Sequence, residues 1–270
     1  MDLPSIVSVA SPSTRSDLPP WQPGAAWLAG GTWLFSEPQP GLRTLNDLSA
    51  LRWPALEVSE AGLRIGATCT IAALEAFEGP PEWRAGPLFA ACCNALLGSF
   101  KVWNTATVGG NICLSLPAAP MLALTVALDG VACIWRPDGT ERLVPMAGFT
   151  LGPQRTVLTP GELLRAVDLP VAALRRRAAW RQASLTAHGR SAALLAATLD
   201  GDGGFALTIT ASTARPLHAS WASPPSAAAV DAHVQAIPAA LWFDDVHGAP
   251  AWRRHMTRRL AAELLAELTG

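Results

Sequence analysis

The sequence is poor in charge. Lys, Arg, Asp and Glu make up 15% of its 270 residues and balance to a net charge of −1. That leaves no electrostatic footprint for nucleic acid or for an anionic membrane surface. Cysteine is present five times, at Cys69, Cys92, Cys93, Cys113 and Cys133, but never as Cys-x-x-Cys. A disulfide framework or an iron–sulfur cluster in this chain is therefore not expected, and the thiols read as small buried hydrophobes. The five histidines all lie in the C-terminal third without a His-x-x-x-His pair, so no zinc site is expected. No apolar run reaches the roughly 20 residues of a spanning helix; the longest are cut by Asp129, Arg136 or glycine pairs. The start, MDLPSIVSVASPSTRSDLPP, has an early acid and no basic segment before an apolar core, unlike a secretory signal. The expected compartment is the cytoplasm.

Half of the residues are hydrophobic, ample for a core, and the length suits roughly two domains. The first 24 residues read as an extended, Pro- and Ser-rich lead-in. Ala25–Gly31 reads as a strand and then a tight loop, and strands are expected at Leu63–Ala67, Val131–Trp135 with Arg142–Val144, Ala178–Gln182, and in the pair 192–199 and 205–210 around an Asp-Gly turn. The segment Thr159–Pro170 reads as a turn leading into a strand. Leu45–Leu51 carries turn and cap chemistry. Helices are expected after a Thr70 cap, over Ala85–Leu97 with a stop at Gly98, and over Met121–Leu128. In the last segment Trp252, Met256, Leu260, Leu264 and Leu268 recur every four residues, with Arg253, Arg254, Arg258 and Arg259 on other faces. The arginines Arg175–Arg177 mark a boundary, and the fold class is α+β in two units divided near residue 172.

Two glycine-pair stretches stand out, Ala29-Gly-Gly-Thr-Trp-Leu34 and Thr107-Val-Gly-Gly-Asn111. Each can be a structural turn. Each can also present successive unhindered N–H groups beside a hydroxyl, which is what a pyrophosphate needs. Neither is a G-x-G-x-x-G, so a Rossmann reading is poor.

Taken in order, AGGTWL, LNDLSAL, GLRIGATCTIAAL, NTATVGGNIC, PAAPMLALTVALDG, TPGELLRAVDLP, RQASL, TARPL and WRRHMTRRL make a longer pattern. It resembles the FAD-binding medium subunit of the molybdenum hydroxylases, the xanthine dehydrogenase and carbon monoxide dehydrogenase family. The resemblance implies a vanillyl-alcohol-oxidase-like (PCMH-type) FAD-binding domain of two α/β subdomains at 1–172, and a small C-terminal α+β domain at 173–270. It implies that both glycine stretches wrap the FAD pyrophosphate, which makes Leu28, Ala29, Gly30, Gly31, Thr32, Trp33, Leu34, Thr107, Val108, Gly109, Gly110 and Asn111 cofactor-binding candidates. Leu97 and Leu164 match apolar positions along the flavin or adenine. Arg181 matches a basic residue that approaches the flavin ring, where a cation favours the reduced, anionic flavin. No residue here need act as acid or base.

The implied partners are a large molybdopterin-binding subunit and a small subunit with two [2Fe–2S] clusters, in a dimer of heterotrimers that discharges electrons to an external acceptor. The chain departs from the family pattern at four positions. Leu116 and Pro120 replace a Ser and an Asp, Trp33 replaces an acid after Thr32, and Trp103 stands where Arg is frequent. Leu116, Pro120 and Trp33 support a rival reading, a flavin-free structural subunit that keeps the fold and its docking surfaces. A stand-alone FAD oxidase fits poorly, because the chain has no separate substrate-binding domain of any size. The substrate and the acceptor are not encoded here.

Overall fold

The structure, a computed structural model, describes residues 3–270. The N-terminal lead-in is more ordered than its composition suggests. Ser8–Ala10 (β1) and Ala25–Leu28 (β2) flank Thr44–Asp47 (β3) in a parallel three-stranded sheet. A strand of three residues, two of them exposed, has too little alternation to announce itself in sequence. The stretch read as turn chemistry after Leu45 is β3 itself, followed by a 3₁₀ turn over Leu48–Leu51 that Asp47 caps through the Ser49 N–H.

Leu56–Ser59 (β4), Gly62–Gly66 (β5), Val131–Trp135 (β6) and Glu141–Pro145 (β7) belong to a five-stranded antiparallel sheet. A small hairpin, Thr150–Gly152 (β8) and Arg155–Thr156 (β9), precedes its central strand, Leu163–Pro170 (β10). Period-two alternation sets the register. Leu63 and Ile65 point into the core, whereas Arg64 points out and meets Asp168 of β10 at 2.7 and 2.8 Å.

Against this sheet pack Ile71–Glu75 (α1), Pro87–Asn94 (α2), Phe100–Trp103 (α3), Val108–Leu114 (α4) and Pro120–Ala127 (α5). Thr70 caps α1 as its sequence suggests, accepting from the Ala73 N–H at 3.1 Å. α2 ends earlier than the apolar run does, which leaves Leu97 exposed in the connection to α3. Every residue of α5 is buried. A helix apolar on all sides is a core helix.

After a short helix, Val171–Leu174 (α6), the chain forms a meander of Arg177–Ala183 (β11), Ala193–Leu199 (β12), Phe205–Thr210 (β13) and Leu217–Trp221 (β14). Asp200 tightens the β12–β13 turn by accepting from the Asp202 and Gly204 N–H groups. Ala227–Gln235 (α7) and Pro250–Thr269 (α8) cover one face of this sheet, and α5 lies against the other. β12 is therefore buried on both faces, which is why it reads as an unbroken apolar run. Leu194 and Ala196 enter the core shared with α5, while Leu195 and Ala197 enter the core under α7 and α8.

α8 buries Leu260, Leu264 and Leu268 as their spacing predicts. It also buries Arg253, which the spacing had placed on another face. Arg253 is 1% exposed, and its guanidinium donates to the carbonyls of Gly248, Ala192 and Ala211 at 2.7, 2.8 and 2.6 Å and pairs with Asp245. The buried set Arg253, Thr257, Leu260, Leu264 follows the 3.6-residue period of one face. The four-residue Trp252–Leu268 line drifts off that face toward its N-terminal end.

Candidate functional site

A cleft of about 430 Å³ opens between the loop after β2, the α2–α3 connection, the start of α4 and the segment entering α5. Its size falls within the range of about 300–1,000 Å³ usual for small-molecule sites. Two different walls face each other across it.

The first wall is the loop Ala29–Leu34. Gly31 has φ +68°, and a Cβ on Gly30 would lie 1.9 Å from the Thr105 carbonyl oxygen, so both positions require glycine. The Phe35 N–H closes the turn on the Gly31 carbonyl at 2.9 Å. Among the described residues, no N–H from Ala29 through Leu34 donates to a protein acceptor. Successive unengaged N–H groups in a tight turn form a concave nest for an anion.

The second wall is built differently from the loop that its glycines suggest. Thr107 is the N-cap of α4 and accepts from the Gly110 N–H at 3.0 Å. Val108 and Gly109 donate to the carbonyls of Cys69 and Ala67 at 2.8 and 2.9 Å. A Cβ on Gly109 would sit 2.6 Å from Ala67, so this glycine serves helix–strand packing. Gly110 is exposed, and an added Cβ there would meet one group only, the capping Thr107 Oγ1 at 2.9 Å. The Asn111 side-chain oxygen accepts from the Met121 N–H at 3.1 Å, which ties α4 to the first turn of α5. That bond fixes the amide orientation, with the NH₂ directed elsewhere. The glycine pair thus begins a helix, and its own N–H groups are engaged within the protein.

Pro120 occupies the first helical position of α5, where a missing N–H leaves no bond unmade. Leu116 lines the cleft, while the Trp103 indole donates to the Leu96 carbonyl at 3.3 Å and braces the α2–α3 connection.

The cleft gathers Leu28, Ala29, Gly30, Gly31, Thr32, Trp33, Leu34, Leu97, Thr107, Gly110 and Asn111. Val108 and Gly109 are buried behind it. Leu164 lies in the core of β10 opposite Ile134, and Arg181 sits on β11 paired with Glu263 at 3.3 Å and Glu267 at 2.6 Å. Neither of these two reaches the cleft. Of the lining residues not singled out from sequence, two bring polar groups. Trp27 is held by its indole N–H on the Glu162 carbonyl at 3.0 Å, and Arg190 arrives from the β11–β12 loop. The apolar lining and the anion nest suit a ligand with a flat ring system joined to phosphates.

Residues 6–172 match the model of the FAD binding domain in molybdopterin dehydrogenase. The chain belongs to this family. It is 32% identical over 154 residues to the putative xanthine dehydrogenase FAD-binding subunit XdhB of Escherichia coli (strain K12), covering 55% of this chain and 51% of that protein. The alignment thus spans about half the length of that curated relative. Among solved structures, the fold is similar to reconstituted CO dehydrogenase from Oligotropha carboxidovorans. The TM-score is 0.83 with 22% identity, over 99% of both chains. It is similar also to carbon monoxide dehydrogenase from Hydrogenophaga pseudoflava lacking the Mo-pyranopterin moiety, with a TM-score of 0.82 and 21% identity over 100% of this chain and 99% of that one. The PCMH-type FAD-binding architecture is the one these folds share. The described part of this domain has no helix long and apolar enough to cross a membrane. Its buried thiols are poor nucleophiles, burial pushing Cys69 up to about 12.

Proposed function

We propose that this chain is the FAD-holding electron-transfer subunit of a heteromeric molybdenum-containing hydroxylase. It works with a large molybdopterin-binding subunit and a small subunit carrying two [2Fe–2S] clusters, as a dimer of heterotrimers in the cytoplasm, with its FAD-binding domain at 1–172 and its C-terminal domain at 173–270. The observation that supports this most is the Ala29–Leu34 loop, whose N–H groups are unengaged and whose residues line an apolar cleft inside a fold of the FAD-binding family. When bound, flavin supplies a centre that accepts electrons singly and releases them in pairs to an external acceptor.

The chain's own residues hold and shield that group. The Ala29–Leu34 nest receives the pyrophosphate, the only part of FAD that bears full negative charge. Leu97, Leu116 and the Trp27 indole give the ring system an apolar seat. Thr107 and Asn111 act one step back: they hold α4 and α5 so that Gly110 leaves the cleft floor open.

A second reading, a flavin-free structural subunit, draws on the engaged N–H groups of Val108, Gly109 and Gly110 and on the apolar Leu116 and Pro120. Purification of the chain with its partner subunits, in medium supplemented with FAD, separates the two. The FAD reading expects the visible absorbance of bound flavin at one per chain. A fully assembled complex without it establishes the structural subunit.

A further inference from the structure

The resemblance placed a cation at Arg181, but that side chain is neutralised by Glu263 and Glu267 on the far side of the C-terminal sheet. The cleft has a different positive charge. Arg190 is the one side chain of a charged residue type among its described lining residues, and it is exposed, with no ion pair or hydrogen bond to another described residue. It belongs to the second unit of the fold, on the loop joining β11 to β12, and so completes the cleft from outside the residues that match the FAD-binding family.

Its backbone is held on both sides. The Gly189 N–H donates to the Thr186 carbonyl at 3.0 Å, in a turn so close that a Cβ there would lie 2.6 Å from Thr186 Oγ1. Beyond Arg190, Ser191 accepts from the Gln182 amide at 2.8 Å, and the Ala192 N–H donates to Ala183 at 2.8 Å. The buried Arg253 then fixes the Ala192 carbonyl at 2.8 Å. The loop is a braced hairpin end that brings an exposed, unpaired Arg190 to the edge of the cleft.

We propose that Arg190 is an anion-binding residue of this cleft and clamps the pyrophosphate of the dinucleotide against the Ala29–Leu34 nest. The inference rests on the FAD reading and deepens it. Neutral N–H donors on one wall solvate the phosphate oxygens, and the guanidinium on the other supplies the opposite full charge, in the planar geometry suited to phosphate. With Leu116 and Pro120 in place of polar groups near the cleft, Arg190 supplies a polar, charged partner from another element.

The test is a titration of the full-length chain with FAD at low and high salt, followed by displacement of FAD with ADP, which has the pyrophosphate and no flavin. In Arg190→Gln, FAD affinity is expected to fall about three- to tenfold at low salt. The fall shrinks at high salt, and ADP affinity drops by the same factor. Arg190→Lys is expected to recover most of the loss, which excludes a folding defect. Unchanged FAD affinity in Arg190→Gln overturns the clamp. So does a loss for FAD with ADP unchanged, because the guanidinium then faces the flavin. A wild-type chain that binds neither ligand removes the FAD reading itself, an outcome distinct from either.

Discussion

Gly30 shows how little room one residue can have. A methyl group there would overlap the Thr105 carbonyl, and the loop would have to retreat from the α3–α4 connection. Gly30→Ala is expected to cost about 1–3 kcal/mol, the usual range for forced overpacking, and to lower flavin retention because the nest opens. Gly41→Ala, with nothing within 4 Å, is the silent control; thermal melts and flavin content of the pair decide it. Arg253 makes the complementary case. Its fork satisfies three carbonyls and Asp245 from inside the protein, and burial works against its charge. Removing one partner of such a buried set typically costs about 3–5 kcal/mol. Arg253→Met should therefore be strongly destabilised in chemical denaturation, and Arg253→Lys only partly rescued, since an ammonium cannot span the carbonyls that a guanidinium does. Equal stability of Arg253→Met and the parent would show that the fork contributes little.

At the scale of elements, the sequence was most legible where local chemistry and period agreed. Thr70 before an apolar run gave α1, the alternation through Arg64 gave β5, and the Asp-Gly turn gave the β12–β13 hairpin. It misled where tertiary contacts decide. The Gly109–Gly110 pair looks like a loop, yet Gly109 is small so that α4 can pack on Ala67, a contact 42 positions away in sequence. Of the cleft, the Ala29–Leu34 wall was legible as a tight glycine turn, since Gly31 has φ +68° and Gly30 has no room for a Cβ. Arg190 was not: nothing periodic marks an arginine in a hairpin loop, and it meets the cleft only once the two units pack. Asn111 links two elements and gives a direct check. Replacing it with Leu leaves the Met121 N–H without its acceptor, at a cost of about 1–3 kcal/mol. Asn111→Asp keeps the acceptor and favours the N-terminus of α5, but adds negative charge at the cleft. The expected outcome is a split. Asn111→Leu melts earlier, whereas Asn111→Asp keeps its melting temperature and binds FAD more weakly. Two variants equal in both measurements would refute it.

At the scale of the whole molecule, the C-terminal sheet meets the first unit at a small polar cluster. Asp129, following α5, pairs with Arg176 at 2.7 Å, just before the chain enters β11. His218 of β14 bonds Thr208 through Nδ1 at 2.9 Å and places Nε2 4.0 Å from Asp129. Burial is the largest influence on His218 and pushes it below its ordinary value of 6.5; Asp129 opposes that shift and Arg176 reinforces it. The sign follows from linkage. The folded state binds this proton less readily than the unfolded chain does, so stability is fully present above 6.5 and is lost as pH falls from there through the lowered folded value. The loss is borne at the contact between units, because protonation puts a charge on a ring enclosed between β14 and the Asp129 turn. Melting temperatures measured downward from pH 6.5 should fall more steeply in the parent than in His218→Gln, which keeps a polar partner for Thr208 and has nothing to titrate. Parallel pH profiles for the two proteins would remove His218 from the acid sensitivity of the contact and leave the carboxylates to account for it.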